Sequence, residues 1–293
     1  MRTTTRSKAL PYGLLTPALL ALAVALAYPL IRQVVLSFQE FGLAQQFGRP
    51  AEWVGLDNYE RLVTDSYLWV VVLRSIVFCL ANAAITMTIG TAIALLLDRL
   101  SKPVRLLVQV GLLLAWAMPV LAALTIWQWL FDTEYGVINY VFGAEGHSWL
   151  LNPLSFFFVA TVVVVWMSVP FVAFTVYAGL TQVPAEIVEA AAVDGATAWQ
   201  RFRLVIVPTV RPVLLVVGLL QIIWDLRVFT QIYVLQKAGG VTRDTNLLGT
   251  YIYRLGIGEG SFGLAAAVAI FMLALTVILT SGYVRSMLKQ EAA

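Results

Sequence analysis

Carboxylates and small side chains alternate in one polar stretch, residues 183–203, that separates two long apolar runs. Glu186, Glu189 and Asp194 carry the negative charge, while Ala190 and Ala191 keep the surface between them shallow. A plain connection between two helices takes only a few residues. Because small side chains allow another surface to approach closely, the stretch predicts a segment on which a second protein docks.

Residues for covalent or metal chemistry are scarce elsewhere in the chain. The single cysteine, Cys79, lies in an apolar run, which excludes an internal disulfide and a multi-cysteine metal site. The single histidine, His147, follows Glu145 in a polar loop and is interpreted as a solvated residue. No G-x-x-x-x-G-K-[ST] sequence is present, so we expect this chain to bind no ATP. The sequence predicts neither an enzyme nor a metal protein.

The polar stretch has the signals of two short helices joined by a turn. Pro184 suits a first helical position, and Glu186 in the first turn complements the helix dipole. Gly195 permits a turn that most residues resist, and a second helical piece covers residues 196–202. Pro208 then fixes how the chain enters the next apolar run. The segment is predicted to be a short, stiff lever joined directly to that run.

The composition indicates a membrane protein. Of the 293 residues, 60% are hydrophobic and only 12% are charged, whereas soluble domains carry about 25% charged residues. Six runs reach the roughly 18 to 20 residues that cross a bilayer as a helix. One all-α membrane domain is expected over residues 1–293, with spans near 11–37, 69–97, 105–130, 154–180, 204–224 and 262–286.

Basic residues in the short loops set the orientation of these spans. They concentrate at the amino terminus, in the loop near residues 98–105, around 201–211 and in the carboxyl-terminal tail. The first two loops of the opposite side are mainly acidic. This asymmetry predicts six spans with both termini in the cytoplasm, so residues 183–203 face the cytoplasm between spans four and five.

The residues of this segment resemble a known motif. Glu189-Ala190-Ala191, then Gly195, then Val205-Ile206-Val207-Pro208 is similar to the E-A-A loop of permease subunits in binding-protein-dependent ABC importers. Val205 and Val207 stand where that pattern has isoleucine and leucine. Asp194 and Phe202 extend the similarity to the carbohydrate-type permeases, the relatives of the maltose transporter's membrane subunits.

The resemblance implies a subunit of a larger machine in a bacterial-type cell membrane. A second homologous permease completes the translocation path, and a dimer of ABC ATPase subunits hydrolyses the ATP. A solute-binding protein outside the membrane delivers the cargo, and nucleic acid has no part in the process. The resemblance implies a set of residues that couple this chain to the ATPase: Glu186, Glu189, Ala190, Ala191, Asp194, Gly195, Phe202 and Pro208.

The cargo that the resemblance implies is a mono- or oligosaccharide. A sugar path needs hydrogen-bonding groups for the hydroxyls and flat aromatic faces for the apolar side of the ring. Polar residues within spans are costly and usually face a cavity or another helix. The candidates for the path are Asn82, Gln128, Trp129, Trp224, Asp225, Arg227, Gln231 and Tyr233.

Two alternatives remain open. The same machinery could carry a sugar or polyol phosphate such as glycerol 3-phosphate, although an anion favours a basic path and only Arg227 and Arg74 are obvious candidates. A secondary transporter acting alone predicts paired ionisable residues deep in the spans or an inverted repeat. Neither is visible in the sequence, and this class leaves the lever at residues 183–203 unexplained. Arg74 lies shallow in the second span and is interpreted as structural.

Overall fold

The computed structural model describes residues 6–291 and is helical over most of that range. The first half of the chain contains eight helices and two short strands: α1 Arg6–Ser37, β1 Gln39–Glu40, α2 Leu43–Gln46, β2 Glu52–Trp53, α3 Asp57–Thr64, α4 Ser66–Arg99, α5 Lys102–Ala117, α6 Val120–Leu130, α7 Val137–Phe142 and α8 Pro153–Leu180. The second half continues with α9 Ala185–Val193, α10 Ala198–Arg201, a π-helical turn Phe202–Ile206, α11 Val207–Leu226, α12 Thr230–Lys237, α13 Thr242–Thr245, α14 Leu248–Tyr253, a π-helical turn Arg254–Gly258 and α15 Phe262–Glu291.

The chain divides into two compact units, Met1–Leu68 with Ile252–Ala274, and Trp69–Tyr251 with Leu275–Ala293. The predicted single domain over residues 1–293 stays a prediction. Both termini were predicted to lie in the cytoplasm, and this orientation stays a prediction. Residues 1–5, including Arg2, and residues 292–293 lie outside the described residues.

The smaller unit is organised around the end of α1. The strands β1 and β2 pair antiparallel, with Gln39 opposite Trp53. The buried Asn58 on α3 donates its side-chain amide to the carbonyl oxygens of Ser37 and Gln39, at 3.0 Å each. The backbone N–H of Gly263 donates to the carbonyl oxygen of Phe41 at 3.0 Å. These bonds fix the chain between α1 and α3 and join it to the start of α15.

The larger unit is built around α8. This helix begins sharply because the Asn152 side chain accepts from the backbone N–H of Leu154 at 2.9 Å and Pro153 occupies the first helical position. Its 28 residues span about 42 Å, more than the hydrocarbon core of a bilayer. It packs against α5, α11 and α12. At Gly90 of α4, an added Cβ would lie 2.6 Å from the Val172 side chain, so glycine lets α4 approach α8 closely.

The predicted third span is not straight. Residues 105–130 fall on α5 and α6, which meet at an angle of 100°. Pro119 follows Met118, whose backbone is extended, and a residue before proline is disfavoured in helical geometry. The single helix expected over these residues is therefore wrong, and a bent pair takes its place.

The other predicted spans are helices with somewhat different ends. By length and composition, five described helices could cross a membrane, or six if the bent pair counts as one span. Helical backbone extends beyond the predicted fifth span, 204–224. It begins at Ala198 and runs through the π-helical turn into α11. The six-span prediction is confirmed only when α5 and α6 form one span.

Candidate functional site

The connection between α8 and α11 consists of two short helices and a turn, as expected. Pro184 caps α9 rather than forming its first residue, a one-residue difference in the predicted start. Gly195 ends the helix with φ of +81°, a left-handed conformation that most side chains resist. Thr197 then caps α10, since its hydroxyl accepts from Gln200 N–H while the Gln200 side chain accepts from Thr197 N–H.

This connection exposes its side chains. Among the described residues, none of Ala185–Val193 is buried, and the carboxylates of Glu186, Glu189 and Asp194 are all exposed. Large apolar side chains are exposed beside them, with Val193 at 87% and Trp199 at 65% of their full exposure. Exposed apolar patches with polar surroundings are typical of interaction sites. The segment has the composition of a docking surface on a structurally fixed support.

The connection enters α11 without a break. Val207 N–H donates to the carbonyl oxygen of Phe202, the i to i+5 bond of a π-helical turn. Pro208 follows as the second residue of α11. Phe202 is half-buried and its ring lies 5.4 Å from that of Trp199. Helical backbone therefore joins α10 directly to α11.

A cavity of about 440 Å³ separates α9 from the ends of α4 and α8. Arg105 lies in its wall and donates to the Tyr177 hydroxyl at 2.9 Å and to the carbonyl oxygen of Leu100 at 2.9 Å. A third, longer bond reaches the carbonyl oxygen of Asp98 at 3.3 Å. Arg105 thus ties the turn between α4 and α5 to α8. The sequence identified it only as a basic loop residue.

A second cavity lies at the opposite end of α8. Its volume is about 370 Å³, and its lining includes Gln128 and Trp129 of α6 and Asp132 just beyond the end of that helix. The Gln128 side chain donates to the carbonyl oxygen of Val234 at 3.1 Å. Trp129 is 55% exposed. Two residues of the predicted path therefore line the same cavity.

Asn139 holds the loop that borders this second cavity. The residue is buried, its side-chain amide donates to the carbonyl oxygens of Asp132, Thr133 and His147, and its oxygen accepts from the Trp149 ring N–H at 2.6 Å. The Asp132 carboxylate accepts from the N–H groups of Tyr135 and Glu134, and these backbone hydrogen bonds lower the pKa of Asp132 below its usual value. The carboxylate is consequently ionised at neutral pH.

Other predicted path residues lie in the packed interior of the larger unit. Asn82 is fully buried and donates to the carbonyl oxygen of Phe78 in its own helix at 2.7 Å. Asp225 is 3% exposed, and both its oxygens accept from the Gln221 side chain at 2.9 and 3.0 Å. Within the described structure, the side-chain oxygens of Asn82 and Gln221 are buried without a hydrogen-bond partner.

The remaining path candidates lie elsewhere. Trp224 is 43% exposed and its ring contacts that of Phe171 edge-on at 4.8 Å. Tyr233 stacks on Phe229 at 5.4 Å, and Arg227 is exposed. The Gln231 side-chain nitrogen lies 4.0 Å from the Met167 sulfur. The cavity beside α6 contains two of the eight predicted path residues, Gln128 and Trp129.

Arg74 contacts the backbone of a distant loop, as a structural role requires. Its guanidinium donates to the carbonyl oxygens of Asn246 at 3.2 Å and Arg243 at 3.4 Å, and lies 5.9 Å from the centre of the Phe157 ring. These contacts fasten the loop before α14 to α4. In residues 6–291, no group of three or more His, Cys, Asp or Glu side chains could hold a metal ion.

Of the cavity residues missed from sequence, Thr125 has a recognisable pattern. It precedes the predicted Gln128 and Trp129 by three and four residues, which places it with them on one face of α6. Trp149 joins them from a distant loop and gave no local signal. The helical spacing could have identified Thr125, but Asp132, beyond the end of α6, and the partner loop became apparent only from the fold.

These features define a polytopic helical membrane protein with an exposed helical connection at one end of α8 and a polar, aromatic cavity at the other. The model of the family described as "Binding-protein-dependent transport system inner membrane component" matches residues 86–286, and the chain belongs to this family. It is a multi-pass protein of the cell membrane.

Similar proteins support this assignment. The chain is 43% identical to the diacetylchitobiose uptake system permease protein DasB of Streptomyces coelicolor, over 99% of this chain and 90% of that protein. It is 32% identical to the trehalose/maltose transport system permease protein MalF of Thermococcus litoralis, over 80% and 79% of the two chains. Its fold resembles a chain of a bacterial ABC transporter that imports alginate, with a TM-score of 0.78, 22% identity, and coverage of 96% and 95%.

Proposed function

We propose that this chain forms half of the translocation path of an ABC importer and that residues 183–203 couple it to the ATPase in the cytoplasm. The exposed connection carries the proposal. Its carboxylates and apolar side chains have no cover in the described chain, although Gly195 and the Thr197 cap give the segment a defined shape. A defined but uncovered surface supports the docking of another protein.

The coupling residues have distinct roles in this proposal. Glu186, Glu189 and Asp194 present charge to the ATPase, while Ala190 and Ala191 leave room for its surface. Phe202 and Pro208 lie on the continuous helix that carries the movement into α11. Closure of the ATPase dimer on ATP moves α9 and α10, and the attached spans alternate access. The ATP is bound and hydrolysed by the partner subunits.

The proposed cargo is a saccharide delivered by a solute-binding protein to this chain and a second permease. The names of the relatives support this class, since DasB takes up diacetylchitobiose and MalF serves trehalose and maltose. A phosphorylated cargo receives less support. Arg74, one of two cations considered for it, is already bonded to backbone carbonyl oxygens.

Gly195→Val tests the coupling role. A β-branched residue is strongly disfavoured at φ of +81°, so the turn must rearrange. In proteoliposomes that contain the complete importer and its solute-binding protein, we expect ATP-driven uptake of diacetylchitobiose to fall by about tenfold or more.

Two matched controls accompany this variant. Gly195→Asn retains most uptake, because asparagine tolerates left-handed geometry. Gly143→Val imposes similar strain, at φ of +63° and also in open space, but outside the proposed coupling segment. Equal loss of uptake in Gly143→Val, or undiminished uptake in Gly195→Val, would contradict the coupling role.

Purification of the tagged chain from its native membrane tests the subunit composition. An ATPase and a second, different permease are expected to co-purify. Uptake by this chain alone, in vesicles without an ATPase, would refute the assignment and favour a secondary transporter.

A further inference from the structure

The cavity beside α6 has the dimensions of a small-molecule site. Its volume of about 370 Å³ falls within the range of roughly 300 to 1,000 Å³ that ligand pockets occupy. One wall is formed by Thr125, Gln128 and Trp129 of α6 and by Asp132, which lies two residues beyond the end of that helix. The other wall is the loop at Ser148 to Leu150. Because α8 begins at Pro153, directly after this loop, the cavity lies at the end of α8 that is remote from the proposed coupling segment.

The apolar side of the cavity is held in place before any ligand arrives. The rings of Phe131 and Trp149 meet edge-on at 5.6 Å, and Phe131 is 4% exposed. The Trp149 ring N–H is bonded to the buried Asn139, so the indole cannot rotate freely. A wall of this kind lowers the ordering cost of binding. Trp129, by contrast, presents a half-exposed ring at the cavity.

Most polar atoms of the cavity are acceptors that can accept further hydrogen bonds. Gln128 uses its amide nitrogen on the Val234 carbonyl, which leaves its oxygen free to accept from a ligand. The Asp132 Oδ1 atom accepts two backbone N–H bonds, and its Oδ2 atom has no bond in the described structure. The hydroxyls of Thr133 and Ser148 can donate as well as accept. Aromatic faces among such groups suit a sugar ring, whose hydroxyls lie at its edges.

The charge of the cavity selects between classes of sugar. Its lining contains the Asp132 carboxylate, and no Lys or Arg is among the described residues that line it. A phosphate, uronate or sulfonate would meet a like charge with no cation to offset it, which disfavours binding. An uncharged saccharide can instead donate hydroxyl hydrogens to the carboxylate.

We propose that this cavity is a reception subsite where an uncharged saccharide contacts Trp129, Gln128 and Asp132 before it enters the translocation path. The proposal rests on the proposed transport function and assigns a cargo class and a place to it. The carboxylate accepts from sugar hydroxyls, Gln128 accepts from another, and the Trp129 ring packs against the C–H face. The site is distinct from the buried residues Asn82 and Asp225.

A protection experiment tests the cavity locally. In Ser148→Cys, a near-isosteric change at the cavity wall, the rate of maleimide modification is measured on the assembled importer in nanodiscs without the solute-binding protein. The native Cys79 is fully buried, and peptide mass spectrometry distinguishes the two positions. We expect diacetylchitobiose at a saturating concentration to slow modification by about fivefold, and glycerol 3-phosphate at the same concentration to have no effect.

Two further variants decide whether the protection arises in the cavity. Adding Trp129→Ala to Ser148→Cys is expected to abolish protection, whereas Trp129→Phe keeps most of it because the aromatic face remains. Tyr140→Cys is the control, since Tyr140 is 80% exposed and lies outside the cavity lining. Its modification rate should not respond to either compound.

Three results would overturn the proposal: no protection by diacetylchitobiose or maltose, protection that survives Trp129→Ala, or equal protection by glycerol 3-phosphate. ATP-driven uptake by the same importer with its solute-binding protein is measured in parallel. Intact uptake without cavity protection refutes the subsite alone, whereas a failure to assemble with an ATPase refutes the proposed function itself.

Discussion

The two ends of α8 are built in opposite ways. At Asn152 the helix emerges from a loop held by the buried Asn139 and by packed rings, including Phe131, Trp149 and Phe156. At Leu180 it leads into α9 and α10, whose described residues include none that is buried. At the first end, the Asn139 amide and the Trp149 ring N–H are bonded within the chain, whereas the carboxylates of α9 at the second end face outward. The first end maintains the shape of a cavity, while the second offers a surface to a partner.

This contrast implies that substitutions at the two ends separate stability from transport. Changes at the packed end should lower the free energy of unfolding most, whereas removal of an exposed carboxylate at the other end should impair transport with little loss of stability. Four substitutions test the contrast, each measured by thermal unfolding of the purified chain in detergent and by uptake through the assembled importer.

Asn139→Ala should have the largest effect on stability. It removes three donated bonds and leaves the Trp149 ring N–H without its acceptor in a buried site. We expect the free energy of unfolding to fall by about 3 kcal/mol. Tyr140→Ala, at the exposed neighbouring position, is the control and should change stability by less than about 0.5 kcal/mol. Similar melting temperatures for the two variants would show that the loop does not depend on Asn139.

Arg105→Met is expected to have the next largest effect. It removes the bonds to Tyr177 and Leu100 but keeps an apolar stem of similar length. The site is only partly buried, so we expect a loss of about 1.5 kcal/mol. Uptake should fall more than ATP hydrolysis, because the turn between α4 and α5 is no longer tied to α8. Lys102→Met, at an exposed position of α5, should leave both unchanged, and an equal effect there would argue against a specific role of Arg105.

Thr197→Ala removes the cap of α10. The Gln200 N–H loses its hydroxyl acceptor, and we expect a cost of about 1 kcal/mol. Thr197→Ser keeps the hydroxyl and should behave like the parent chain. If the serine variant is as unstable as the alanine variant, the effect comes from the lost methyl group rather than from the cap.

Glu189→Gln should have the smallest effect on stability and a large effect on transport. The carboxylate is exposed, so the free energy of unfolding should change by less than about 0.5 kcal/mol. Uptake should still fall by about tenfold, because a charge offered to the ATPase is lost. A drop in melting temperature with normal uptake would contradict the view that the exposed end serves transport rather than stability.

Much of the helical framework could be predicted from the sequence, because apolar runs of sufficient length have few alternatives in a membrane. The break in the third run was harder to place. Pro119 lies within this run, but a proline in an apolar run can kink a helix slightly or divide it. The 100° bend between α5 and α6 depends on how α6 packs against α12 and α7, which no local pattern encodes.

The two sites also differ in how much of each could be predicted from the sequence. The segment at residues 183–203 is contiguous, so its acidic, alanine and glycine positions were readable as a unit, and Gly195 has the expected turn conformation. The cavity joins α6 to a loop about twenty residues later, and its wall depends on the Asn139–Trp149 bond. Gln128 and Trp129 were found by residue type alone. Asp132 and Trp149 required the three-dimensional contact.

The π-helical turn at Phe202–Ile206 also determines how α10 is rotated about the helix axis relative to α11. An α-helix advances by roughly 100° per residue, so the one extra residue in this turn rotates everything before it by about that angle relative to α11. Trp199 and Arg201 therefore point in directions that an uninterrupted α-helix would not give them. The turn works as a fixed angular offset between α10 and the membrane helix. Converting it to α-helical geometry with all its residues kept would leave every side chain of α10 intact yet aim them at a different part of the surroundings.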